Sequence, residues 1–303
     1  MATTKDYLKL HFIVFLWGFS AILGRLISIT AIELVLFRFA LAALGMYGLI
    51  HFTLGRDSIK ISRGDQLKLI LIGIVVALHW LAFFGSARLA NVSVSLVGFA
   101  TNSLWAALLE PWFNKTKMKK FELVLGLLVV IGLYIIFSFD FQYKLGLLIA
   151  ISAGFTSALF SVFNAKMVKH IHPRTITFYE MCGGFLTVGL CILICKIAWP
   201  DSGFSMKWPS LSDWICISTL AGVCSIYAYT VAIELMKKVS VFLIQLTLNL
   251  EPLYGIVMAV IIFGEQEEMS TNFYVGTFVI LCAVFSYPLF KKRFDKSSIA
   301  LID

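Results

Sequence analysis

The chain has 303 residues, of which 60% are apolar, 15% aromatic and only 14% charged, with a mean hydropathy of +0.91 and a formal charge of +8. Soluble domains carry about a quarter charged residues, so this composition excludes an ordinary soluble domain with a hydrated surface. The basic excess does not point to nucleic acid, because the Lys and Arg sit in short clusters beside apolar runs, where they orient a membrane protein.

In chain order the apolar runs predict ten spans, near 8–28, 31–54, 66–89, 91–113, 121–138, 145–167, 175–198, 211–235, 239–262 and 272–290. Each is near the roughly 20 residues that cross a bilayer. Each is expected to be helical, since a helix satisfies its own backbone in lipid. The first run contains Trp17, Gly18 and Arg25 and lacks a small-x-small cleavage site, so it reads as a span and not as a leader. With the N-terminus in the cytoplasm, nineteen of the 25 basic residues fall on the cytoplasmic side. Arg25, Arg88, Lys144, Lys196 and Lys207 fall outside, and Arg38 alone lies within a span. This asymmetry predicts both termini in the cytoplasm. The acidic residues Glu265, Glu267 and Glu268 are then external. The six cysteines lie in apolar segments without a C-x-x-C motif and read as small buried hydrophobes.

A weak internal repeat runs through the spans. Gly18-Phe19-Ser20 echoes Gly154-Phe155-Thr156, Phe37-Arg38 echoes Tyr179-Glu180, Ser103-Leu104-Trp105 lies on Pro252-Leu253-Tyr254, and Gly126 on Gly276. The offsets grow slowly, from 136 through 142 and 149 to 150. The expected organisation is one all-α transmembrane domain of two five-helix repeats, 1–140 and 141–303. An odd number of spans per repeat inverts the second relative to the first. That architecture belongs to transporters with a site near the midplane.

Leu16-Trp17-Gly18, Phe37-Arg38-Phe39, Leu108-Leu109-Glu110-Pro111, Leu250-Glu251-Pro252 and Phe263-Gly264-Glu265 together resemble the ten-span EamA-type proteins of the drug/metabolite transporter superfamily. The likeness runs from about Leu8 to Phe290, and it departs from the family pattern at Ser103, where many relatives have proline. The resemblance implies an inverted-repeat carrier, often an exporter of amino acids, metabolites or drugs, in a bacterial inner membrane.

Ionisable groups inside a membrane mark functional positions by default, which singles out Arg38, His79, Glu110, Glu180 and Glu251. Glu251 precedes Pro252, which removes a backbone donor and predicts a kink or unwound turn. Its carboxylate either holds a proton or cation or braces the bend. Glu180 and Glu110 are the other candidate coupling carboxylates. Arg38 either grips a substrate carboxylate in bidentate fashion or snorkels outward and packs. Depth separates it from Glu180, so the two are not expected to pair. His79 either exchanges a proton or rests as a neutral imidazole bonded to another helix. Gln245 and Asn249 share a helix face, where they serve as interhelical glue or touch substrate, and Asn102 joins them. Trp17, Trp80, Phe83, Trp105, Tyr179, Tyr227 and Tyr229 supply the aromatic wall expected of an organic-ligand cavity. Glu234 is expected to pair with Lys237 and Lys238. No H-E-x-x-H, G-x-S-x-G or G-x-x-x-x-G-K-[ST] motif occurs, so a transporter and not an enzyme is expected, without cofactor or metal, and the alternatives are an intramembrane enzyme without a recognised motif and a passive facilitator or channel. The expected partners are a small-molecule substrate, the lipid bilayer and protons, with the chain acting as a monomer or homodimer.

Overall fold

The computed structural model describes residues 2–90, 92–137, 144–198, 206–251, 253, 254, 258 and 271–299. Pro252, the Phe263-Gly264-Glu265 element, Glu267, Glu268 and the side chain of Arg25 lie outside the described residues. Among those residues the regular structure is entirely helical.

The helices are α1 (Thr4–Leu26), α2 (Ala31–Thr53), α3 (Arg63–Leu89), α4 (Val92–Phe99), α5 (Asn102–Asn114), α6 (Lys120–Phe137), α7 (Lys144–Met167), α8 (Pro173–Ala198), α9 (Leu211–Thr219), α10 (Tyr229–Leu235), α11 (Val241–Leu248) and α12 (Thr271–Ile299). A 3-10 turn, Arg56–Ile59, lies before α3, and a π-helical segment, Leu220–Ala228, joins α9 to α10. Among the described residues six helical stretches are long and apolar enough to cross a membrane: 31–53, 63–89, 144–167, 173–198, 211–235 and 274–294. Their outward faces are apolar too. Leu186, Leu190, Leu193 and Ile197 of α8 are all exposed, the pattern of a helix whose surroundings are lipid.

Three of the expected spans are built differently from a plain helix. The fourth breaks at Ala100–Thr101, although residue 103 is serine: Thr101 Oγ1 donates to the Gly98 carbonyl at 2.7 Å, and Gly154 of α7 leaves room for the turn. The ninth breaks at Asn249–Leu250. Pro252 has no N–H to give Leu248, so the regular ladder ends there. The Asn249 side chain donates to Gln245 O at 3.1 Å across the break. The two breaks are 149 residues apart, the offset at which Ser103 falls on Pro252. The eighth span widens into the π segment.

Packing between the halves is reciprocal. Like pairs with like, α2 with α8, α5 with α11 and α6 with α12. The α3–α8 contact is answered by α2 against the π segment, and α3–α7 by α1 against the π segment and α10. Small residues permit the closest crossings. A Cβ at Gly73 would collide with the Glu180 backbone, and one at Gly183 with that of Ile70, so α3 and α8 meet backbone to backbone.

The loops gather on two faces. On one, Ser28 N–H and Oγ donate to Asp213 at 2.7 and 2.8 Å, and Lys207 N–H to Glu33 at 2.6 Å. Asp213 and Glu33 also cap their own helices, accepting from Ser210 and Thr30. On the other face Tyr179 Oη donates to Ile59 O at 2.9 Å, Thr175 Oγ1 to Ser58 O, Lys166 to Phe113 O and Lys238 to Asp6. This is the same grouping of loops that the basic-residue count gives. The Lys238 ammonium and the Thr3 cap hold Asp6 well below the ordinary carboxylate range. Lys238 is thus committed to Asp6 at 2.8 Å and not to Glu234, correcting the expected pairing.

Candidate functional site

Where the two halves meet, they enclose a cavity of about 90 Å³, several times the roughly 10–15 Å³ that one water requires. The first half contributes Trp17 and Ser20 from α1, Arg38 from α2, and His79, Trp80 and Phe83 from α3. The second half contributes Ser157, Phe160 and Ser161 from α7, Cys224 and Tyr229 from the π segment and α10, Gln245 from α11, and Glu251.

Arg38 is 4% exposed and faces a wall built for it. Its guanidinium carbon lies 3.9 Å from the centroid of Trp80, a cation–π contact, and Trp80 in turn stacks on Phe39 at 4.4 Å. Nε donates to Ser225 Oγ at 2.8 Å. The snorkelling alternative is therefore not what the chain adopts. The π segment makes the second polar contact at this level: the Trp17 indole N–H donates to Cys224 O at 3.1 Å, a carbonyl that also accepts the Tyr229 N–H. Insertion of an extra residue per turn re-aims carbonyls, and such segments recur at functional sites.

Glu251 follows the helix break and is 8% exposed. Ser20 Oγ donates to it at 3.5 Å, bridging α1 to the second half. It lines the same cavity as Arg38, yet no ion pair within 4.0 Å joins them. Asn102 holds the equivalent place in the first half, 149 residues earlier and also first after a break. It is fully buried, and neither end of its amide has a partner among the described residues.

The remaining candidates divide. His79 Nδ1 meets Ala153 O at 2.9 Å, the interhelical bond of a neutral imidazole. Its ring is surrounded by Phe83, Phe99 and Phe160 at 5.5–6.3 Å. Gln245 is held by Ser161 Oγ at 2.8 Å and by Ser157. Asn249 bridges to Ser103 Oγ at 3.2 Å and, unlike Gln245, does not line the cavity. Trp105 packs edge-on against Phe155 outside it. Tyr179 belongs to the loop face through Ile59, and Tyr227 is 46% exposed against Phe12, so neither joins the aromatic wall.

Glu110 has a structural post. Its two oxygens accept the N–H groups of Val241 at 3.2 Å and Phe242 at 2.9 Å, while Ser240 Oγ accepts from Leu243 at 3.3 Å. Together they satisfy the first turn of α11, whose positive dipole end favours a carboxylate. This moves Glu110 from the coupling group to the caps. Glu180 is fully buried between α7 and α10, away from the cavity lining and from Arg38. Tyr229, one of the aromatic candidates named from the sequence, does line the cavity, and the residues that the sequence reading missed include Ser20, Phe84, Phe99, Ser157, Phe160, Ser161 and Cys224. Their apolar or small character gives no signal without the fold.

The EamA-like transporter family model matches residues 7–138 and again residues 144–289. One solved crystal structure superposes with a TM-score of 0.74 at 16% identity, covering 93% of this chain and 97% of its own, which shows a shared fold. No curated protein sequence matches the chain. Two copies of one family unit, spread over nearly the whole sequence, make this multi-pass membrane protein a member of the EamA-like transporter family, within the drug/metabolite transporter superfamily.

Proposed function

We propose that the protein is a secondary transporter that exports small organic molecules with an apolar body and an anionic group across the bacterial inner membrane. The two halves act as inverted five-helix units, ten spans in all, with both termini cytoplasmic. The observation that carries this reading is the placement of Arg38 at the seam between the halves. Its Nε is fixed by Ser225, its face by Trp80, and its terminal nitrogens belong to a residue lining the cavity. A guanidinium so held offers a planar pair of donors to a carboxylate. The aromatic wall of Trp17, Trp80, Phe83 and Phe160 suits the organic remainder. Because the cavity is lined from both units, rocking one against the other exposes it to either side in turn.

Thermal unfolding of the purified protein across a panel of amino acids, aromatic acids and cationic drugs tests the ligand class, since a bound ligand stabilises by mass action. Stabilisation by carboxylates that is lost in Arg38→Lys is the expected result, because lysine keeps the charge and loses the fork. Stabilisation by cations alone would overturn the anionic assignment. In proteoliposomes a carrier shows saturable flux and counterflow. Flux without saturation would mark a channel, and chemical turnover of the ligand an intramembrane enzyme.

A further inference from the structure

Behind the cavity wall lies a second polar cluster, which reaches the cavity through Tyr229. Glu180 of α8 and Asn164 of α7 are both 0% exposed. Tyr229 of α10 joins them: its Oη donates to Glu180 Oε2 at 2.8 Å, and Asn164 Nδ2 lies 3.1 Å from Tyr229 Oη and 3.4 Å from Glu180 Oε2. Glu180 Oε1 and Asn164 Oδ1 have no hydrogen-bond partner among the described residues. Two acceptor oxygens are thus buried in one cluster with nothing to donate to them.

Among the described residues no cation pairs with the Glu180 carboxyl. The elements packed against α8 are α2, α3 and α10. Their buried basic groups are engaged elsewhere, Arg38 with Ser225 and His79 with Ala153. On α7, Lys166 is bound to Phe113 O. On α10, Glu234 is exposed, and Tyr229 is the titratable group in contact. An ionised carboxylate with no counter-charge in such surroundings is costly enough that the group neutralises instead.

We propose that Glu180, Asn164 and Tyr229 form a proton-binding site in which Glu180 holds a proton at neutral pH and exchanges it with the cavity through Tyr229. Tyr229 alone belongs to both the cluster and the cavity lining. The relay balances simply. When the neutral carboxyl of Glu180 donates to the Tyr229 oxygen, its proton passes to that oxygen as the phenol releases its own to a water molecule in the cavity, which becomes hydronium, and the carboxylate left behind accepts the bond that Tyr229 Oη donates. Gly73 packs directly on the backbone at Glu180, so the site sits on a close backbone crossing between the halves, where their relative movement is felt. That this proton drives transport rests on the transporter reading above; the site itself does not.

Infrared titration of the full-length protein in lipid nanodiscs reads the site without any substrate. A protonated-carboxyl band at neutral pH, absent in Glu180→Gln and retained in Glu251→Gln, is expected. Its shift on transfer to D2O should be at least several-fold slower in Tyr229→Phe. Should Glu180→Gln not fold, Asn164→Ala keeps the carboxyl and must move the same band. Absence of the band at neutral pH, a band unaffected by both variants, or equal exchange in Tyr229→Phe would overturn the proposal. Loss of the band on adding sodium chloride at constant pH would overturn it in favour of a sodium site. If these signatures appear while proteoliposomes transport nothing, the proton site stands and the transport reading falls.

Discussion

Replacement of Glu110 separates a cap from a coupling carboxylate. Its two oxygens receive the Val241 and Phe242 N–H groups at 3.2 and 2.9 Å, at the first turn of an eight-residue helix that carries Gln245 into the cavity. Hydrogen bonds to a charged group contribute about 1.5–3 kcal/mol each, and loss of a helix cap alone costs about 1 kcal/mol. Since Glu110 is only half-buried, the lower end applies to both bonds, so Glu110→Ala should cost about 2–4 kcal/mol. Glu110→Gln keeps one acceptor oxygen and the side chain's size, and should cost about 1 kcal/mol. At roughly 2 °C per kcal/mol for a chain of this length, the alanine variant should melt about 4–8 °C lower in detergent. Both variants should respond to an imposed pH gradient as the native protein does, once folded. If Glu110→Gln melts normally and yet loses the gradient response, Glu110 handles protons and the capping account is wrong.

Three further outcomes follow from the geometry. Cysteine labels at Lys117 and Lys237 should react only from the cytoplasmic side and one at Glu267 only from outside; the same side for Lys117 and Glu267 would refute the five-plus-five topology. Glu251→Gln should fold and keep ligand binding, and if this carboxyl also moves protons it should lose gradient-driven flux, whereas Glu251→Ala should lower stability by about 1–3 kcal/mol by leaving Ser20 unsatisfied; an alanine variant with native stability and flux would remove Glu251 from both roles. The depressed pKa of Asp6 means that its contact with Lys238 stabilises the fold above the unfolded pKa of about 3.9 and fades as pH falls below it. The melting difference between the native protein and Asp6→Asn should therefore be constant from pH 8 to about 5 and shrink below about pH 4, and a difference that grows on acidification would reverse the sign of this argument.

Much of the fold is written in local chemistry. Apolar runs long enough to cross a bilayer yield α2, α3, α7 and α8 within a few residues, and α12 at its start, its helix running on to Ile299 past the expected end at 290, because lipid leaves the backbone no alternative to a helix. Capping boxes mark the starts of α1, α2 and α9 through Thr3 and Asp6, Thr30 and Glu33, and Ser210 and Asp213. The Glu251–Pro252 step announces the break of the ninth span, since a missing N–H is a property of one residue. The matching break at Ala100–Thr101 has no proline to announce it and arises from Thr101 back-bonding and the space beside Gly154.

The site depended on the tertiary structure. Sequence could rank Arg38, Glu110, Glu180 and Glu251 as costly intramembrane charges, because position along an apolar run sets the depth at which each would sit. It could not say which of them share a space. Arg38 and Glu251 meet around one cavity, Glu110 turns away to cap α11, and Glu180 withdraws behind Tyr229. Those assignments follow from hydrogen bonds across separations of 49 to 231 residues, and a one-turn shift of any helix would redistribute them. Residue types and local spacing decide that a segment crosses as a helix and where it is capped or broken; which carboxylate meets a backbone donor, a phenol or a cavity is decided by how the helices pack.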